Sequence, residues 1–212
     1  MLQILFYIFA IIFILLGCSV SFLIGTGADD VAIISQAWRH FKTICKHKHY
    51  VFKECRACGI TWQGIVHDLS EFSPAEFLPA ARYFQGNRSP IEAEKEALGY
   101  FDSWLHHKGR NKHHWEYWCD YNNDTGEVLP HKIPYKYVVE MVCDWIGAGK
   151  AYSKEKWTQH EPLAYYNKVR AGRHFHPQTE MQILIFLKTI NEKGLDEFHR
   201  MARNGESYAY YC

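Results

Sequence analysis

Residues 31–55 read VAIISQAWRHFKTICKHKHYVFKEC, and this stretch decides the fold class. Val31, Ile34, Ala37, Trp38, Phe41 and Ile44/Cys45 recur every three or four positions, the spacing that one apolar face of an α-helix requires. The pattern runs on through Val51, Phe52 and Cys55 to a stop at Gly59. A second helix carries Trp62, Ile65 and Val66 into His67-Asp68. Ser73-Pro74-Ala75-Glu76 reads as a helix start, with Pro at the first helical position and Glu76 as its capping carboxylate. Further helices are expected from Ile91 to His107, from Tyr135 to Tyr152, from Pro177 onward, and from Leu195 to Met201. Residues 86–90 read as a loop and 122–126 as a turn, and no sustained period-two run, repeat or low-complexity tract interrupts them. The expected fold is all-α, with Trp38, Trp62 and Trp145 in its core and Trp115 and Trp118 as pocket walls.

Upstream of this helix, residues 2–24 (LQILFYIFAIIFILLGCSVSFLI) carry no charge. At about 1.5 Å per residue they are long enough for a hydrocarbon layer of about 30 Å. Residues 1–26 are therefore expected to form a membrane-spanning anchor, and 27–212 the helical domain. The alternative is a cleaved or lipidated signal, since Leu15-Leu16-Gly17-Cys18 loosely resembles a lipoprotein box. Gly25-Thr26-Gly27 reads as a hinge, and Arg39, Lys42, Lys46 and Lys48 beyond it place the domain on the cytoplasmic side. Seven scattered cysteines make a poor disulfide framework and suit a reducing compartment. Cys55-Arg-Ala-Cys58 lacks a second metal-knuckle pair and reads as small apolar residues on a helix.

The 212 residues hold 24 Lys+Arg against 23 Asp+Glu, so no overall basic field recommends a nucleic-acid polymer as partner. Thirteen histidines point instead to metal or acid–base chemistry, provided the spacing gathers them. His67-Asp68 lies at a helix end, where two adjacent side chains can converge. His49 lies eighteen positions earlier, with His47 and His40 also available, and Glu140 and Asp144 follow at i, i+4 on a later helix. His49, His67, Asp68 and Asp144 make a mixed nitrogen/oxygen set suited to a divalent metal such as Mn, Fe, Co, Ni, Mg or Zn. Between them, residues 104–118 read WLHHKGRNKHHWEYW, with four histidines in nine positions. On a continuous helix His107 and His114 would stand about 10.5 Å apart along the axis, too far to share one ion. Two ions, or a break at Gly109, would resolve this, with His106 and His113 as the competing registers. His131, His160, His174, His176 and His199 have no recruiting spacing.

The order His49…His67-Asp68…Asp144 resembles that of the HD-domain superfamily, helical metal-dependent phosphohydrolases. HDLSEF (67–72) is similar to that family's HD segment, with Glu71 where a lysine is usual. Over residues 36–200 the strings HDLSEFSPAEF, HHKGRNKHHWEYW and EMVCDW resemble an uncharacterised bacterial and phage family of HD-like proteins. The resemblance implies an HD-like helical bundle and a metal-activated water acting on a nucleotide or other small phosphate ester. It implies Asp68 as a bridging ligand and base, and His107 and His114 as ligands of a second ion. Glu140 is read as a catalytic carboxylate, as one that orients a bound histidine, or as an ordinary helix residue. Lys108, Arg110, Asn111 and Lys112 are the expected phosphate contacts. Two other readings share these ligands: a diiron oxygenase, as in myo-inositol oxygenase, and a membrane-tethered binding module with a structural metal.

Overall fold

In a computed structural model, residues 28–100 and 102–206 are described, and they are mostly helical. The long periodic stretch forms α1 (Ala28–Ala57), followed by α2 (Thr61–Val66). A left-handed Asp68 and a 3-10 turn (Leu69–Phe72) lead into α3 (Pro74–Tyr83). Then come α4 (Pro90–Leu98), α5 (Asp102–Lys108), α6 (Tyr135–Ser153), α7 (Glu161–Val169), α8 (Pro177–Lys193) and α9 (Leu195–Arg203). The hydrophobic segment 2–24 lies outside the described residues, and among those described no helix is long and apolar enough to cross a membrane.

The local departures from expectation have physical causes. The helix expected from Ile91 to His107 is two, because Gly99 takes φ +78° and closes α4 with its N–H on Lys95 O. Residues 119–130, which show no sustained period-two run, contain a hairpin of two three-residue strands, β1 (Cys119–Tyr121) and β2 (Val128–Pro130), around the expected turn. Strands that short leave no period-two run to detect. Trp38 and Trp62 are not core residues: they are 43% and 66% exposed. Trp145 is half-buried against Tyr165 and Tyr166.

Two apolar clusters share α1. Val51 and Cys55 of α1 pack with Val142 and Ile146 of α6, Phe186 and Ile190 of α8, and Phe198 of α9. Nearer the start of α1, Phe41 and Ile44 pack with Phe77 and Ala81 of α3. His40 is buried between the Phe77 and Phe84 rings, and that burial pushes its pKa down to about 4. Cys55 and Cys58 are buried free thiols, with Cys58 Sγ 3.8 Å from Cys143 Sγ. His199 and Lys150 close on the buried Glu54 at 2.7 and 2.6 Å, tying α9 and α6 to α1.

α1 and α6 make the closest approach that matters for the site. A Cβ on Gly147 would stand 2.4 Å from Val51 Cγ2 and 3.1 Å from Val51 N. Asp144 lies one turn before Gly147, and His47 one turn before Val51, so this crossing sets their separation. Gly147→Ala is therefore expected to force the helices apart. The cost is about 2–3 kcal/mol of stability, read by denaturant unfolding. An unchanged midpoint would show that the crossing has slack.

Candidate metal centre

His67 ends α2, its N–H on Gln63 O at 2.7 Å. Carbonyls at a helix end lack intrahelical partners. Here Lys48 Nζ supplies one, donating to Ile65 O at 3.1 Å and to His67 O. The chain then turns sharply through Asp68 at φ 47°, ψ 33°, a left-handed conformation that Asp tolerates better than most residues. This turn brings adjacent side chains to one point: His67 Nε2 is 3.0 Å from Asp68 Oδ2.

α1 brings His47 to the same point, not His49. The two are about 200° apart around a helix at 100° per residue, so only one can face inward. His47 Nε2 lies 3.2 Å from Asp144 Oδ1, 3.6 Å from Asp68 Oδ2 and 3.4 Å from His67 Nε2. His49 faces outward beside Phe52, Lys53 and Arg56. His47, His67, Asp68 and Asp144 thus form one group whose ligand atoms all lie within 4.8 Å of one another.

The 104–118 segment supplies a second group. α5 ends at Lys108, and the turn at Gly109 breaks the helix. Asn111 secures the turn, its amide donating to Ser70 Oγ at 2.8 Å and to His107 O at 3.0 Å. His113 and His114 consequently fold back beside His107. His107 Nε2 and His113 Nε2 face Asp68 Oδ1 at 3.4 and 3.5 Å. Asp68, His107, His113 and His114 form the second group: His113 joins the expected His107 and His114, His106 stays outside, and Asp68 belongs to both sets.

Two carboxylates hold the rings from behind. Glu140 Oε1 accepts from His67 Nδ1 at 3.1 Å and stands 3.3 Å from His113 Nδ1. Glu76 does not act as the helix-capping partner expected of it: Ser73 makes no side-chain cap, and Glu76 accepts from Nδ1 of both His106 and His107, the latter at 2.7 Å. Such outer contacts fix the tautomer and leave Nε2 facing inward.

The electrostatics favour positive charge at this point. Burial opposes it, but Asp144 and Asp68 push His47 up to about 9, and Asp68 and Glu76 push His107 to about 9. Asp68 and Asp144 are held well below the usual carboxylate range, where the surrounding histidines outweigh burial. Burial and the neighbouring His113 and His107 hold His114 well below its ordinary value. Burial and the charge of Asp68 raise Glu71, the residue at the lysine position of the resembled motif, to about 7.

Asp68 Oδ1, His113 Nε2 and His114 Nε2 are buried and have no hydrogen-bond partner. Orphaned buried polar atoms are costly, and three convergent ones in a single His/Asp group are what a divalent cation would satisfy. The residues therefore fit a metal ion, and the cluster could hold one.

A pocket of about 400 Å³ opens beside the centre, with Glu140 and His113 among its walls and Arg110, Asn111, Lys112 and Lys136 at its sides. Lys108 is not among its lining residues, whereas Lys136, which the sequence did not single out, is. Trp62 sits in the same wall.

One family model, described as "Family of unknown function (DUF5662)", matches residues 36–189. No curated protein and no solved structure matches the chain.

Proposed function

Because the chain belongs to the family of unknown function DUF5662, its chemistry has to be argued from its own residues, and from them we propose a metal-dependent phosphohydrolase. One observation carries this reading: two His/Asp groups share Asp68 beside a pocket walled by three cationic side chains. The order His47…His67-Asp68…His107…His113/His114…Asp144 supports an HD-like arrangement, with His47 in place of the expected His49.

His47, His67 and Asp144 would hold one ion, His107, His113 and His114 the other, and Asp68 would contribute to both. Divalent ions there would supply Lewis acidity toward a phosphoryl oxygen and a lowered pKa for water. Arg110, Lys112 and Lys136 bind and neutralise the phosphate, as charge-assisted donors do. Asn111 keeps the Arg110–Lys112 turn against Ser70. Glu140, which borders the pocket, is assigned to receive a proton as the water oxygen bonds to phosphorus and the bond to the leaving alcohol breaks. The alcohol oxygen takes up a proton from solvent, Glu140 returns its own to solvent, and phosphate and alcohol leave.

The test uses the full chain, loaded separately with Mn, Fe(II), Co, Ni, Mg and Zn and assayed on mono- and diester phosphates and nucleotides. Hydrolysis without O2 is expected. Arg110→Ala and Lys136→Ala should each raise KM about ten-fold or more with metal content unchanged. Turnover that needs both Fe(II) and O2 would replace this reading with the diiron oxygenase. Bound metal with no exchangeable water and no turnover would replace it with a structural metal.

A further inference from the structure

We infer that the outward face of α1 is a docking surface for an anionic lipid bilayer. Arg39, Lys42, Lys46, His49, Lys53 and Arg56 follow one another in steps of three and four, and all are exposed or half-buried. At about 100° and 1.5 Å per residue they share an arc about 100° wide and about 25 Å long. No acidic residue falls in that arc. The sole carboxylate between positions 31 and 57 is Glu54, which is turned inward onto Lys150 and His199. Since the whole chain carries a net charge of only +1, the stripe is a local concentration of charge, not a sample of a basic surface.

Both ends of the stripe extend it. At the far end Arg203 of α9 donates to Ala57 O at 2.6 Å and joins His49, Lys53 and Arg56 around a groove of about 540 Å³. At the near end Trp38 lies on the edge of the same arc with Lys42 Nζ 5.2 Å from its ring centroid. An exposed tryptophan beside basic residues suits the headgroup layer, where its apolar ring and N–H both find partners.

The occupant follows from what adjoins the stripe. The uncharged residues 2–24 and Gly25-Thr26-Gly27 directly precede α1 in the sequence. A bilayer that held that apolar segment would adjoin the start of α1 along the chain, and a cationic stripe complements an anionic layer. Each Lys or Arg at such a surface is worth roughly a five-fold change in affinity. This surface is independent of the metal centre, and it gives His49 a place on the lipid side instead of among the ligands.

The experiment reconstitutes the full chain into vesicles of phosphatidylcholine alone or mixed with phosphatidylserine. Lysine acetylation rates are then read residue by residue by mass spectrometry. Lys42, Lys46 and Lys53 should react several-fold more slowly in the anionic vesicles, with added salt restoring the rate. Lys112 and Lys136, at the pocket, serve as unaffected references. The double charge reversal Lys46→Glu/Lys53→Glu should abolish protection of Lys42 while leaving the thermal unfolding midpoint unchanged. Equal rates in both lipids, no flotation with either vesicle, or protection by duplex DNA but not by anionic lipid would each overturn the proposal.

Discussion

Asp68→Asn is expected to leave the protein with at most one of the two metal ions and to reduce phosphoester hydrolysis on the order of 10²–10³-fold. The two oxygens of Asp68 face different partners. Oδ2 lies 3.0 Å from His67 Nε2 and 3.6 Å from His47 Nε2, while Oδ1 lies 3.4 Å from His107 Nε2 and 3.5 Å from His113 Nε2. Asparagine keeps a single acceptor oxygen and turns an N–H₂ toward the other set, so it can serve one group only. It also removes the negative charge around which both groups are arranged. Asparagine suits the φ of 47° nearly as well as aspartate, so the loss would not be a backbone effect. Alanine at the same position adds roughly 1–2 kcal/mol of left-handed strain, and comparing the two variants separates ligand from backbone. Elemental analysis of the purified chain reads the outcome directly, with the exposed His174→Ala as the control that should retain both ions. Undiminished metal in Asp68→Asn would sink the shared-carboxylate assignment.

Much of this site is legible in the sequence, and what escapes has a geometric reason in each case. The all-α class follows from periodicity alone, because the apolar positions of α1, α6 and α8 repeat over many turns. The choice between His47 and His49 was open to the same test. Ile44, Val51 and Cys55 define the inward face of α1, and on a helical wheel His47 stands about 60° from its centre while His49 stands about 140° away. The Gly109 break is signalled by the residue itself. That both His113 and His114 turn inward depends on Asn111 reaching Ser70, a contact between residues 41 apart that no local pattern encodes.

Carboxylates behind the rings are harder still. Glu76 occupies a position where a capping role is locally sufficient, and only the arrival of α5 shows it gripping His106 and His107. Lys48 looks like one more surface lysine of a basic helix until α2 ends against it and offers its carbonyls. Lys136 joins the pocket because the start of α6 lies next to the Arg110–Lys112 turn, again a tertiary fact. The inward-facing donors and Glu140 could be listed from spacing, whereas the supporting roles of Glu76 and Lys48 could not.

Those supports yield the second large effect. Glu140→Gln is expected to weaken retention of both ions, about 10–100-fold each, whereas Glu76→Gln should weaken only the ion held by His107, His113 and His114. The asymmetry follows from who is held. Glu140 Oε1 serves His67 Nδ1 at 3.1 Å and His113 Nδ1 at 3.3 Å, one ring from each group. Glu76 serves His107 Nδ1 at 2.7 Å and, beyond the groups, His106. A carboxylate behind a ring fixes the Nδ1–H tautomer and makes Nε2 a stronger donor to a cation. Glutamine keeps the shape, but it removes the charge and can turn its own N–H₂ toward the ring, which favours the wrong tautomer. Retention against chelators of graded strength isolates this positioning effect from the proton-transfer role assigned to Glu140, because no turnover is involved. A change of that size corresponds to about 1.4–2.7 kcal/mol per ion, well above the noise of such titrations. Equal loosening of both ions by Glu76→Gln, or release from Glu140→Gln no faster than from the parent chain, would mean that the imidazoles are held by packing and not by these two carboxylates.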